Sequence, residues 1–190
     1  MDVRLVSNRS DLVEYNELYR DFCVFLYEMK MRPADLMKLR YKDIQIINNK
    51  RCIVYSVEKK KNTKPDIVKN ELTEVAEKII EKYNGISLMG YIMPFSMNNY
   101  QWNMKDPKSW NKWENRKNSS LQRINSFLKK CIPVLKLNLK ENERFSIYSF
   151  RHTAFTIAIN KFNINPLVLA KKGGTSVQML DETYYGGDLY

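Results

Sequence analysis

The chain has 190 residues, 44% of them hydrophobic, which is enough for a real core and for one large domain or two small ones. Thirty-two Lys and Arg against 21 Asp and Glu give a formal net charge of +11, which favours a polyanionic partner, nucleic acid before an anionic membrane surface, over a neutral metabolite. No apolar run reaches the roughly 18 residues that span a bilayer, and the opening MDVRLVSNRSD lacks a secretory apolar stretch, so the expectation is a soluble, cytoplasmic protein.

Residues 11 to 30 repeat apolar side chains at intervals of three and four (Leu12, Tyr15, Leu18, Tyr19, Phe22, Phe25, Leu26), and the spacing predicts a packed helix with Ser10 or Asp11 as its cap. Pro33 suits the first turn of a second, short helix through Leu39. DIQII and RCIVYSV, separated by Asn-Asn-Lys, read as a hairpin, and PDIVK adds a third strand after a lysine-rich turn. Helices follow at about 72 to 83 and 119 to 131. Between them, residues 85 to 118 hold Gly, Pro, Asn and all three tryptophans, Trp102, Trp110 and Trp113, without clear periodicity, and read as an ordered loop or lid. Three further helices are expected near 147 to 161, 166 to 172 and 176 to 184, with Gly173 and Gly174 breaking the last two apart. The fold class is α+β, mainly helical, with one small antiparallel sheet of about three strands, and no repeat or linker forces a second domain.

Residue types narrow the chemistry. Cys23, Cys52 and Cys131 show neither metal-ligand spacing nor a disulfide framework and read as reduced thiols in or near the core. His152 is the only histidine, which excludes the His clusters of zinc hydrolases and metal-dependent nicking enzymes, so no metal and no other cofactor is expected. Basic residues concentrate in two stretches. Seven lie between Lys50 and Lys69 against Glu58 and Asp66, and eight between Asn103 and Lys130 against Asp106 and Glu114; these are the candidate DNA-tracking segments, or else solvated faces. From Gly173 to Tyr190 there are three acids and no Lys or Arg.

Two arginines are oddly placed for surface solubility. Arg32 precedes Pro33 at a helix start, where the helix dipole disfavours a cation unless an anion is near, and Asp35 is a candidate buttress for it. Arg151 lies in the first two turns of the helix beginning near Ile147, among Phe150, Ala154, Phe155 and Ala158. One reading gives Arg151 a carboxylate partner; the other makes the two guanidiniums a fork for one phosphate.

Four segments in order carry a resemblance across almost the whole chain: RPADL (Arg32 to Leu36), KNTKPDIV, YSFRH (Tyr148, Arg151, His152), and GTSVQMLDETYY. Together they resemble the catalytic domain of the tyrosine recombinase (phage integrase) family, with GTSVQML looking like a subgroup of phage and genomic-island integrases. The resemblance implies an Arg opening an R-x-x-E/D-L helix, at Arg32 with Asp35 as its acid, and a hairpin lysine at Lys61, with Lys59, Lys60 or Lys64 reachable by slippage. It implies an H-x-x-R-H box at Tyr148, Arg151 and His152, and a nucleophile about ten residues after a Gly-His turn, at Tyr184, with Tyr185 the rival. Tyr148 stands where the family carries His or Lys, and Thr175 where it carries a second His or Trp. Both keep a hydrogen-bonding group, although a tyrosine with a pKa near 10 is a poor proton shuttle at neutral pH.

What the resemblance implies is strand cleavage and rejoining of double-stranded DNA through a 3′-phosphotyrosyl intermediate. Tyr184 attacks the phosphorus, Arg32 and Arg151 stabilise its charge, His152, Tyr148 and Thr175 assist by hydrogen bonds, and Lys61 protonates the leaving oxygen. The chain would be one catalytic domain over 1–190 without the upstream DNA-binding domain usual in the family, monomeric when isolated, and joined by other protomers in a synapse. A non-catalytic DNA-binding module on the same fold is the alternative, and an RNA-binding protein a third. The acidic, glycine-broken end carries one further expectation: that the segment from Gly173 to Tyr190 is mobile or displaced in the isolated domain, with Tyr184 away from the arginines until DNA and a neighbouring protomer position it.

Overall fold

The computed structural model describes residues 9–57, 66–87, 89–95, 103, 105–140 and 143–185. The apolar stripe of the first segment forms α1 (Arg9–Met29), which buries Leu18, Phe22, Cys23, Phe25, Leu26 and Met29 in the main core. Asp21 is buried on the same helix because cations and a hydroxyl meet it: Lys82 Nζ donates at 2.5 Å, Arg20 Nη2 at 2.8 Å and Tyr83 Oη at 2.9 Å. Helix α1 ends at Lys30, whose φ of 55° is the left-handed conformation that closes a helix.

Pro33 opens α2 (Pro33–Leu36), shorter than the Pro33–Leu39 expected; a tight turn follows, then a 3₁₀ turn at Tyr41–Asp43. The predicted hairpin is β1 (Ile44–Ile47) and β2 (Lys50–Val57), joined by Asn48 and Asn49 at φ of 51° and 61°, the two-residue turn that matches strand twist and that asparagine tolerates. β3 (Asp66–Glu71) completes an antiparallel sheet of order β1-β2-β3, with Tyr55 opposite Val68. Alternation puts Ile53, Tyr55 and Val57 of β2 and Val68 and Asn70 of β3 on the buried face. Thr73 then caps α3 (Glu74–Lys82) by accepting from the Ala76 N–H at 3.2 Å.

The largest departure from expectation is α4 (Pro107–Val134), which begins twelve residues before the predicted 119. Asp106 accepts from the Ser109 N–H at 2.9 Å and Pro107 takes the first turn, so the start is a regular capped one. Residues 107–118 are therefore helix rather than loop, and Trp113 is fully buried beneath the ammonium groups of Lys38 and Lys117. Residues 89–95 do form an ordered connection, pinned by Tyr41 N–H to Gly90 O and Ile92 N–H to Leu39 O. Trp102 lies outside the described residues.

A second, smaller core joins the C-terminal elements. It gathers Phe155, Ala158 and Ile159 of α5 (Ile147–Asn160), Leu169 and Ala170 of α6 (Pro166–Gly173) and Leu180 of α7 (Val177–Leu180), with Tyr184 packed at its edge. The single helix expected at 176 to 184 is instead α7 followed by a π-helical turn, Asp181–Tyr185. Gly174 adopts φ 60° and ψ 42°. A Cβ there would lie 2.9 and 3.0 Å from the γ-methyls of Val57 and Val68, so only glycine lets the α6–α7 turn seat on the sheet. Among the described residues no helix is long and apolar enough to cross a membrane.

Candidate active site

Arg32 sits at the N-cap of α2 in extended backbone, and its Nη1 lies 3.8 Å from Asp35 Oδ2 one turn on. The Arg32 side chain keeps 30% of its surface exposed while Asp35 keeps 14%, so the acid is the buried partner and the guanidinium still meets solvent. Burial pushes the Asp35 carboxyl above its ordinary value, against the pull of Arg32, Lys38, Arg151 and Lys117. Among the described residues neither Asp35 Oδ2 nor the Tyr55 hydroxyl has a hydrogen-bond partner, though both are buried and both residues line a cavity of about 210 Å³ with Lys38 and Ser56. Tyr55 is held well above the usual phenol range by burial and by Asp35, while Arg151 and Arg32 act the other way. Arg32, Asp35, Tyr55 and Arg151 thus form one electrostatically coupled group drawn from α2, β2 and α5.

Arg151 is only 7% exposed, and its partners are not carboxylates. Nη1 donates to the Lys30 carbonyl just past the end of α1, and Nη2 donates to the Gly173 carbonyl at 2.9 Å. Both acceptors lie at helix C-termini, where the peptide dipoles concentrate negative charge. The guanidinium also lies over the Phe155 ring, 4.8 Å from its centroid. Burial, then repulsion from Arg32, brings its pKa down to about 10, so it remains charged at neutral pH.

The next residue contacts the tyrosine. His152 Nδ1 is 2.7 Å from the Tyr184 hydroxyl, and the Tyr184 ring packs 5.4 Å from Phe155. Burial raises the Tyr184 phenol above its ordinary value and Arg151 partly offsets this. His152 is pushed below the usual imidazole value by partial burial and by Arg151. The expectation that Tyr184 would be displaced from the arginines is corrected here: it is docked on α5 by an aromatic contact and a hydrogen bond, neither of which needs a cation in the terminal segment.

The other expected residues are placed as follows. Tyr148 stands in the first turn of α5, 45% exposed. Thr175 follows the left-handed Gly174; its N–H closes α6 onto the Ala170 carbonyl at 3.0 Å, and it lines a groove with Ile67, Leu167 and Val177. Lys61, with Lys59, Lys60 and Lys64, lies outside the described residues, in the connection that leaves β2 at Val57 beside Gly174 and re-enters at Asp66. Tyr185 closes the π-helical turn. Among the described residues, no group of three or more His, Cys, Asp and Glu gathers to hold a metal. Tyr55 and Phe155 went unread as site residues because each fits its strand or helix pattern as an ordinary core aromatic.

No protein-family model matches the sequence, and no curated protein matches it. Solved structures do match the fold. XerA recombinase superposes with a TM-score of 0.56 at 13% identity, over 96% of this chain and 59% of that one. XerH site-specific recombinase, in a pre-cleavage complex with its difH substrate, gives 0.52 at 16% identity over 96% and 50%. The Tn1549 transposon integrase, in complex with circular intermediate DNA, gives 0.53 at 15% identity over 100% and 65%. The chain spans between half and two thirds of the length of these structures. Over nearly all of its length the chain has the fold of the catalytic domain of tyrosine recombinases.

Proposed function

We propose that the chain is the catalytic domain of a site-specific DNA recombinase or integrase, cleaving and rejoining strands through a 3′-phosphotyrosyl intermediate. The observation that carries this reading is the position of the Tyr184 hydroxyl, hydrogen-bonded beside Arg151, whose charge acts on it and is coupled to that of Arg32. A phosphodiester drawn to the two guanidiniums would meet charge-assisted donors for its non-bridging oxygens, and the same donors would stabilise the extra charge of the pentavalent transition state. Arg32 is the accessible member of the pair, and Arg151 is fixed by two carbonyls, so its guanidinium is oriented before any substrate arrives.

Attack by Tyr184 exchanges one phosphate ester for another, so the bond energy is conserved and no ATP is needed. Lys61 is the proposed acid for the departing 5′-oxygen, and Tyr148 and Thr175 supply hydrogen bonds at the edges of the phosphate. The partner is double-stranded DNA, and neighbouring protomers complete a synapse. The chain acts as a single catalytic domain.

The test is covalent trapping. The chain is incubated with nicked suicide duplexes carrying a randomised target, and denaturant-resistant protein–DNA adducts are collected and mapped. Tyr184→Phe is expected to abolish the adduct with DNA binding retained, while Tyr185→Phe retains both. An adduct mapped to Tyr185 would shift the nucleophile by one residue. DNA binding with no adduct from the unaltered chain would leave a non-catalytic binding module.

A further inference from the structure

We propose that His152 is the general base that takes the phenolic proton of Tyr184. The inference rests on the strand-cleavage reading above and adds the identity of the proton acceptor. His152 Nδ1 already lies 2.7 Å from the hydroxyl, inside the range over which a positioned base accepts a proton. The two rings pack with centroids 5.6 Å apart, and the Phe155 ring, one turn on along α5, also packs on the tyrosine at 5.4 Å, so the pair is held by packing as well as by the hydrogen bond. Tyr148 is exposed at the start of α5 and makes no such contact with Tyr184 among the described residues. His152 is the only imidazole in the chain.

Among the described residues, the charged and titratable groups acting on His152 are Arg151, one residue before it on α5, and Tyr184 from the π-helical turn. The cation and partial burial favour the neutral ring, which with its proton on Nε2 presents Nδ1 as an acceptor. Burial of Tyr184 works against a free phenolate, so attack at neutral pH needs the proton removed as the bond forms. In the forward step the Tyr184 Oη–P bond forms and the P–O5′ bond breaks. The phenolic proton passes to His152 Nδ1, and the 5′-oxygen takes a proton from the acid assigned to Lys61. In the reverse step the imidazolium returns its proton to Tyr184 as the 5′-hydroxyl attacks.

Two measurements test this. The first needs no DNA: an arylsulfonyl fluoride, which sulfonylates activated phenols, is followed by peptide mapping across pH. Tyr184 is expected to react faster than the other tyrosines, with a rate that rises through a midpoint below the usual histidine value and is flat at neutral pH. His152→Gln keeps a polar side chain but no base, and is expected to slow labelling of Tyr184 at least about 10-fold at pH 7 and shift the rise toward phenol ionisation. Imidazole added to His152→Ala is expected to restore part of the rate, which a purely structural role would not allow. The second measurement is adduct formation on the nicked duplexes, expected to fall roughly 100-fold or more in His152→Gln with DNA affinity unchanged. Adduct formation by His152→Gln at the unaltered rate, or an identical pH profile for sulfonylation, overturns this inference alone. An unaltered chain that forms no adduct overturns the strand-cleavage reading and this inference with it.

Discussion

Replacing Gly173 with alanine measures how tightly the end of α6 is seated against the site. The backbone there is helical, so alanine on its own would favour the folded chain by about 0.5–1 kcal/mol. Its Cβ, however, would lie 2.2 Å from Phe155 Cζ and 3.0 Å from Cε1. Carbon atoms rest about 3.5–4.0 Å apart, so the ring would have to retreat by about 1.5 Å. It has little room, because Arg151 lies over the ring at 4.8 Å and Tyr184 packs at 5.4 Å. Overpacking costs about 1–3 kcal/mol and an overlap this deep belongs to the upper part of that range, about 2–3 kcal/mol, so that a helical gain of about 1 kcal/mol leaves a net loss of about 1–2 kcal/mol. At about 2–4 °C per kcal/mol for a chain of this size, the melting temperature should fall by about 2–8 °C. Thermal unfolding followed by circular dichroism reads the shift, and the double variant Gly173→Ala with Phe155→Leu should recover part of it, because leucine lacks the outer ring atoms. A melting temperature that is unchanged or raised, or strictly additive effects in the double variant, would refute the reasoning.

Other outcomes follow from the packing and charges. Trp113→Ala should cost about 3–5 kcal/mol in urea unfolding, because the indole is fully buried in the main core. Asp21→Asn should cost about 1.5 kcal/mol at pH 7, the low end for bonds to charged groups, since Lys82 and Arg20 remain partly exposed. Burial raises the Asp21 carboxyl, but hydrogen bonds from Lys82, Arg20 and Tyr83 outweigh it and the folded value is lowered. The contribution of Asp21 is therefore present above its unfolded pKa and lost as pH falls through the folded one, so the gap between the two proteins should close in acid; a gap that widens would contradict this. Burial and the neighbouring Cys131 push the Cys23 thiol up to about 12, so Cys131 should react first with a thiol reagent on the native chain and Cys23 only after denaturation.

The parts of the fold legible in the sequence are those with a local pattern. The stripe from Leu18 to Met29, the paired asparagines of the hairpin and the alternation of Ile53, Tyr55 and Val57 each encode their own geometry. The first three turns of α4 were not legible, because only Trp113 and Lys117 of residues 107–118 are buried and no apolar stripe forms. The available signal was the Asp106-Pro107-x-Ser109 cap. Among candidate site residues, the Arg32–Asp35 pair follows from helical spacing. The carbonyl partners of Arg151 come from residues 121 and 22 positions away, which no local pattern encodes. The docking of Tyr184 is encoded neither in the charge nor in the glycine break of the terminal segment, because a distant aromatic ring and an imidazole hold it.

The fastening of α6 has a mechanical consequence. Its last carbonyls are tied down from two directions, Gly173 O by Arg151 and Lys172 O by Asn70 of β3, whose amide also holds Met29 O at 2.9 Å. Gly174 is wedged against two valines of the sheet. The chain up to that point is an anchored post, and any swing of Tyr184 must pivot beyond Gly174. Among the described residues the part beyond that pivot is α7 and the π-helical turn, so a rotation at Thr175 or Ser176 would displace the phenol while leaving Arg151 where it stands.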